Sequence, residues 1–168
     1  MSFQSDRLII RPTLEQDSDL IYQLMNSPKF IKYVGDRQLY SLEDAEKYIQ
    51  DKMLPHLHSL GYSNYSLINK KNGAKIGICG LYDREGLDGI DIGFGILPEY
   101  EGLGYAFESS SRILKAGFEE LEISEIKAIT NKENISSQCL LVKLGFNLKG
   151  TIMLANENDE LLLYKIEK

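Results

Sequence analysis

The chain has 168 residues, 43% of them hydrophobic and 26% charged, which is enough for one packed domain over residues 1–168 without help from disulfides or metals. A formal net charge of −6 and the lack of a long Lys/Arg block argue against nucleic-acid binding and suit a cationic or amine-bearing partner better. No window approaches the ~20 apolar residues that span a bilayer, and the opening residues lack a signal-like apolar run, so the expected location is cytoplasmic and no membrane is expected as partner. Cys79 and Cys139 both lie in apolar runs without zinc-like or disulfide spacing, and are expected to be buried free thiols.

Arg7 to Pro12 reads as an opening strand, and Thr13 to Gln16 (TLEQ) has the side chains of a capping box ahead of a helix carrying Leu20, Ile21 and Leu24. That helix should end between Asn26 and Pro28. An aromatic-rich connection, Phe30 to Tyr40, leads to a second box, Ser41 to Asp44 (SLED). The helix after it carries Ala45, Tyr48, Ile49 and Met53 on one face and stops at Gly61. From Tyr62 the period changes to two, which predicts antiparallel strands over Ser63–Asn69, Ala74–Tyr82 and Ile90–Leu97. A helix begins near Gly104 with Ala106, Ser110, Ile113, Leu114, Gly117, Phe118 and Leu121 on one face. A strand follows over Glu125–Thr130, then a helix over Asn134–Leu144 closed by Gly145, then strands over Phe146–Leu154 and Leu161–Ile166. This order implies one α/β domain with a mixed, mostly antiparallel sheet of about seven strands flanked by about four helices.

The most informative stretch is Asp91 to Ala106 (DIGFGILPEYEGLGYA), a strand, a glycine-containing turn and a helix start in succession. Such a junction favours an anion: the first helical N–H groups lack internal partners, and the helix dipole places roughly half a positive charge there. Gly102 and Gly104 let the backbone approach a diphosphate closely; a glycine turn with a purely structural purpose is the alternative. Two other nucleotide motifs fail, because Phe107 stands where a dinucleotide fingerprint needs a third glycine and the Gly-Lys-Ser/Thr of a P-loop is missing. Alternation puts Ile90, Ile92, Phe94 and Ile96 on one face of the strand and Asp91, Gly93 and Gly95 on the other. That second face is nearly bare, so either a thin ligand arm or a closely packed helix fits over it.

These residues resemble the GNAT family of N-acetyltransferases, and within it the ribosomal-protein N-terminal acetyltransferase (RimJ/RimL-like) group. The family's signature, Arg/Gln-x-x-Gly-x-Gly/Ala, matches Glu101 to Ala106 except at its first position. Leu97 to Tyr100 and Tyr105–Ala106 resemble the subgroup. Asn134 to Ser137, followed by Lys143 to Phe146, is similar to the second family motif, and with RLIIRP the resemblance spans essentially the whole chain. It implies acetyl-CoA as co-substrate, with no metal. The pantetheine would pair with the backbone near Ile96 and Leu97, and the pyrophosphate would lie in the cradle formed by Glu101, Gly102, Leu103, Gly104, Tyr105 and Ala106. Asn134 would bond the pantetheine, and Ser137 would sit near the thioester sulfur. Asn134 as a helix cap with Ser137 in the first turn is the alternative.

Two departures from the family matter. Glu101 places a carboxylate where the family often has Arg or Gln, so backbone donors must hold the phosphates. Leu141 stands where many members carry a tyrosine acid, which makes Ser137 the candidate general acid, directly or through water. The implied reaction is direct attack of a neutral amine on the thioester in a ternary complex. Asp91, and beyond it Glu99, are the nearest candidate bases by position, although each has an alternative as an ordinary solvated acid. The acceptor is a peptide N-terminal amine or a small-molecule amine, with Phe30, Tyr33 and Tyr40 shaping its pocket or serving the core. His56 and His58 read as surface residues. An acyl-CoA-binding sensor without chemistry and a purely structural domain remain as rival readings, and both monomer and homodimer stay open.

Overall fold

The computed structural model describes residues 1–154 and 159–168. The strands are β1 (Phe3–Gln4), β2 (Leu8–Pro12), β3 (Asn64–Asn69), β4 (Lys75–Asp83), β5 (Ile90–Ile96), β6 (Glu125–Thr130), β7 (Asn147–Ile152) and β8 (Leu161–Glu167). They form one eight-stranded sheet in the order β1-β2-β3-β4-β5-β6-β8-β7, antiparallel throughout except where β5 meets β6. The helices are α1 (Ser18–Met25), α2 (Pro28–Tyr33), α3 (Leu42–Tyr48), α4 (Leu54–Leu60), α5 (Tyr105–Glu119) and α6 (Ile135–Lys143). The expected mixed, mostly antiparallel sheet is present, with more elements than expected. The two-residue β1 is too short to carry a period, and α2 takes up the start of the aromatic connection because Pro28 is suited to a first helical position.

Alternation along the strands divides the core between the two faces of the sheet. Cys79, Leu81 and Ile92 pack with Ile113, Leu114 and Ala116 of α5. On the opposite face, Ile78 packs with Leu20, Ile21 and Leu24 of α1 and with Ala45 and Ile49 of the α3 layer. Covered on both sides, the central strands are held stiffly. The capping box of α3 forms as expected: the Asp44 N–H donates to Ser41 Oγ at 3.1 Å, and the Ser41 N–H to the Asp44 carboxylate at 3.0 Å. Gly61 ends α4 in the left-handed region, at φ 80°. Between α3 and α4, Ile49–Met53 forms a single wider turn, in which the Leu54 N–H reaches back to the Ile49 carbonyl. Pro55 follows, and its lack of an N–H together with its ring's clash with the preceding turn accounts for the widening.

The TLEQ box does not cap α1. Thr13 is buried, and its hydroxyl lies 3.0 Å from Ser66. No side chain caps α1 itself; Asp17 closes the single 3-10 turn before it, Glu15–Asp17, its carboxylate accepting the Leu14 N–H at 3.1 Å. Asp17 is fully buried, takes both Arg11 Nη1 and Nη2 at 2.7 and 2.8 Å, accepts from Ser66 at 3.0 Å and has Lys75 Nζ at 3.3 Å. One carboxylate thereby ties β2, β3, β4 and the start of α1 together. Cys79 is buried as expected, but Cys139 is exposed. Its helix, α6, spreads its apolar residues over several faces and leaves Ile135 and Val142 exposed as well, so an apolar run did not identify the inner face.

Burial alone would push the Asp17 carboxyl up, but the Arg11 hydrogen bonds, the Leu14 N–H, the Arg11 charge and Ser66 outweigh it, and the net shift is downward. Because the folded carboxyl is the stronger acid, its contribution is complete above the ordinary Asp value of about 3.9 and is lost as the pH falls through the lower folded value. Asp17→Asn should cost about 3 kcal/mol at pH 7 by leaving Arg11 without its counter-ion, whereas Lys75 keeps Asp19 at 2.6 Å. Urea unfolding of both proteins should show that difference shrinking below pH 4; a difference that holds constant with pH would contradict the ion-pair account.

Candidate functional site

β5 pairs with β4 along its whole length but with β6 at two positions only, Ile90 with Ile126 and Asp91 with Lys127. Beyond them the strands part. The Leu97 N–H bonds to the Ile76 carbonyl at 2.9 Å, and alternation then turns the main-chain groups of Gly93 and Gly95 toward β4 and those of Phe94 and Ile96 into the opening. A cleft of about 370 Å³ fills the gap. Phe94, Gly95 and Ile96 form one wall and Asn134, Ser137 and Leu140 the other; Gly102, Gly104, Tyr105 and Ala106 close one end, and Lys29, Phe30, Tyr33 and Val34 of the α2 region lie alongside.

At the closed end, Gly102 and Gly104 hold φ of 73° and 84°, the left-handed region that favours glycine. The Glu108 N–H makes the first helical bond of α5, to the Gly104 carbonyl at 3.0 Å, which leaves the N–H groups of Tyr105, Ala106 and Phe107 without helical partners. A side chain at Gly102 would meet nothing within 4 Å, whereas one at Gly104 would lie 3.3 Å from Arg7 Nη2. Arg7 braces this turn. Its Nη1 donates to the Leu103 carbonyl at 2.9 Å and its Nε to Glu108 at 2.6 Å, and the guanidinium lies 4.2 Å over the Tyr105 ring. Burial raises the Glu108 carboxyl, but hydrogen bonds from Ser5 and from the Arg7 main chain and side chain win, so it is held below the usual carboxylate range. The arrangement offers a row of free N–H donors at the positive end of a fifteen-residue helix, beside an open strand edge, which fits a diphosphate joined to a thin amide-bearing arm.

Residues 7–147 match the acetyltransferase (GNAT) domain among known protein families. The chain belongs to that family. It is therefore an acyltransferase of a class that uses acetyl-CoA as co-substrate. It is similar to the uncharacterised N-acetyltransferase YoaA of Bacillus subtilis, with 28% identity over 89% of this chain and 84% of that protein. It is also similar to the spermidine N(1)-acetyltransferase of Escherichia coli, with 25% identity over 86% and 75%. Among solved structures, a protein described as a putative ribosomal-protein-serine acetyltransferase from Vibrio cholerae superposes with a TM-score of 0.80 at 17% identity, over 100% of this chain and 98% of that one, which is a likeness of fold.

Within this GNAT domain the structure gathers most of the residues singled out from the sequence. Ile96, Glu101, Gly102, Gly104, Tyr105, Ala106, Asn134 and Ser137 all line the cleft. Asn134 fills its structural role at the same time, because its Oδ1 accepts the Ser137 N–H at 3.2 Å and caps α6. Leu97 is elsewhere: its N–H is committed to β4 and its side chain is buried in the α1–α3 cluster. Leu103 turns its side chain to solvent and its carbonyl to Arg7. Leu141 belongs to the main core, while its neighbour Leu140 faces the cleft. Phe30 and Tyr33 line the cleft, but Tyr40 is exposed away from it.

Asp91 requires a correction. It lies on the expected strand face, but that face is covered: Tyr82 sits over Gly93 and Leu24 over Gly95. Asp91 itself is 1% exposed, paired with Arg84 at 3.0 Å, and not part of the cleft wall. Burial raises its carboxyl, with the Arg84 charge and hydrogen bonds pulling it partway back. Glu99 is exposed outside the cleft. Sequence reasoning missed three cations. Arg7 lies some hundred residues from the turn it braces, Lys29 reaches the closed end of the cleft from α2, and Lys143 stands over the Phe107 ring at 4.4 Å. No local pattern marks a contact across such separations.

Arg7→Ala should leave the fold intact and loosen the turn. Amide hydrogen exchange of Glu108, whose N–H closes the turn on the Gly104 carbonyl, should speed up by about tenfold, the scale of one lost charge-assisted bond. Arg7→Lys should not restore it, because an ammonium lacks the planar fork that spans Leu103 and Glu108. Unchanged protection in both variants would remove Arg7 from the account.

Proposed function

We propose that this acyltransferase moves the acetyl group of acetyl-CoA onto a primary amine, either the α-amine of a peptide or a small-molecule amine, by direct attack within a ternary complex. The observation that supports it above others is the alignment of unpartnered N–H groups at the start of α5 with the open edge of β5. Acetyl-CoA, when bound, supplies an activated thioester carbonyl.

The chain's own residues do the rest. The cradle from Gly102 to Phe107 holds the diphosphate, and the main-chain groups of Phe94 and Ile96 pair with the pantetheine arm. Asn134 adds a side-chain contact. The amine nitrogen forms its bond to the acetyl carbon as the carbon–sulfur bond breaks, and the proton lost from nitrogen ends on the sulfur. Ser137, on the wall opposite β5, passes that proton, directly or through water.

With Asp91 neutralised by Arg84, and Glu101 ion-paired to Lys29, no free carboxylate lines the cleft among the described residues. Attack then depends on an amine that is already neutral. An α-amine, with a pKa of about 8, meets that demand better than an alkyl amine near 10.4, by roughly 3 kcal/mol. This favours a peptide N-terminus, in keeping with the resemblance to the ribosomal-protein acetyltransferases. The similarity to a spermidine acetyltransferase and the acidic composition support the polyamine alternative. The same shortage of bases supports an acyl-CoA-binding sensor as the second reading.

Calorimetry with CoA should show binding by the wild type and none by Gly104→Val, which puts a β-branched residue at positive φ and into Arg7, with the thermal transition shifted only slightly. Equal affinity in the two proteins would count against the cradle. Mass spectrometry of a peptide and metabolite library with acetyl-CoA should reveal the acceptor; binding without turnover favours the sensor. For an α-amine acceptor, kcat/KM should rise about tenfold per pH unit and level off near pH 8, whereas a rise continuing toward pH 10 would indicate a polyamine or lysine.

A further inference from the structure

The family motif opens with an Arg or Gln beside the phosphates, and this chain has Glu101, a side chain of the wrong sign for that neighbour. In the structure Glu101 is not free. Its carboxylate is ion-paired with Lys29 Nζ, which reaches over from the first turn of α2, and both side chains line the same end of the cleft as Gly102 and Gly104. Farther along the same short helix, Lys32 pairs with Glu133 at 3.4 Å, in the loop that leads into α6. α2 is therefore tied to the closed end of the cleft, at the cradle loop, through Lys29 and to the entrance of α6 through Lys32.

We propose that Lys29 is the phosphate-binding cation of this site, supplied by α2 in place of the missing motif residue and positioned by Glu101. The proposal rests on the reading of the cleft as an acetyl-CoA site. An ammonium has three donors, and Glu101 occupies one, so Lys29 holds its carboxylate and a phosphate oxygen together without the pair having to break. Its side chain is 59% exposed and that of Glu101 33%, so the tether is weak enough to let the ammonium swing by an ångström or two toward a ligand. The arrangement also removes a difficulty: an unpaired carboxylate next to the cradle would repel the diphosphate that the N–H groups attract, and Lys29 cancels it.

The test uses the full chain and two ligands, CoA by calorimetry and S-acetylpantetheine, which lacks every phosphate, by NMR titration. Lys29→Ala should weaken CoA about tenfold and flatten the salt dependence of its Kd, while leaving S-acetylpantetheine within twofold of wild type. Glu101→Arg places a cation at the motif position, so adding Lys29→Ala in that background should cost less than threefold. The proposal is overturned if Lys29→Ala leaves CoA affinity within twofold, if it weakens both ligands equally, or if its cost is the same in the Glu101→Arg background. A wild type that fails to bind CoA removes the acetyl-CoA reading itself and this proposal with it; CoA binding that is indifferent to Lys29 removes this proposal alone.

Discussion

The site depends on a strand that stops pairing. β5 leaves β6 after Asp91, and from there its outer edge carries polar main-chain groups with no strand to take them. A buried N–H or C=O without a partner is costly, so such an edge must face water or a ligand that repeats the hydrogen-bonding pattern of a strand. The opening points at the beginning of α5, where the helix has its own unpaired donors. Two kinds of unfinished backbone, one extended and one helical, meet in a single cleft. On the proposed reading, amides along an arm would satisfy the first and a diphosphate the second.

A sheet can open in the middle only if the rest of it is held. Here the two core clusters grip β4 and β5 from both faces, and Asp17 ties β2, β3 and β4 to the start of α1 on the side away from β6. Arg7 carries that rigidity across to the turn, through Leu103, Glu108 and Tyr105. The charges follow a similar division. The chain is acidic overall, yet Lys29 and Lys143 line the cleft and Arg7 backs its glycine turn. On the proposed reading, that placement serves an anionic ligand while the acidic composition suits a cationic acceptor.

Periodicity made most of this fold legible. The shift from period two to period three and a half located β3 through α5, and the bounds of β6 coincide with those read from the sequence. The glycine turn was legible because few residues other than glycine hold positive φ at Gly102 and Gly104, so the residue type itself reports the geometry. What was not legible involved a second element. The bare face of β5 could be recognised, but not that Tyr82 and Leu24 fill it. Asp91 could be placed on that face, but not paired with Arg84 across the hairpin. The Thr13 box matched in side-chain type and yet does not cap α1, because Thr13 has a buried partner in Ser66 on another strand. Arg7 and Lys29 carry no local mark at all.

The pairing of Asp91 with Arg84 bears on how such an enzyme works. A carboxylate free in the cleft could deprotonate an ammonium acceptor, but one held by a guanidinium at 3.0 Å has spent its strongest acceptor positions and is buried outside the cleft wall. Leu141, buried in the main core, likewise gives the cleft no phenol at the turn where a hydroxyl would approach the sulfur. Both acid and base are thin here. Catalysis in a site of this kind leans on proximity, in which a neutral nitrogen held against a carbonyl gains from an effective concentration far above that in solution. Under the proposed reaction, such a site would select its acceptor partly by the acceptor's own basicity. Amines that are neutral in a useful fraction near pH 7 would react, and those almost fully protonated would wait for a base that the described cleft residues do not supply.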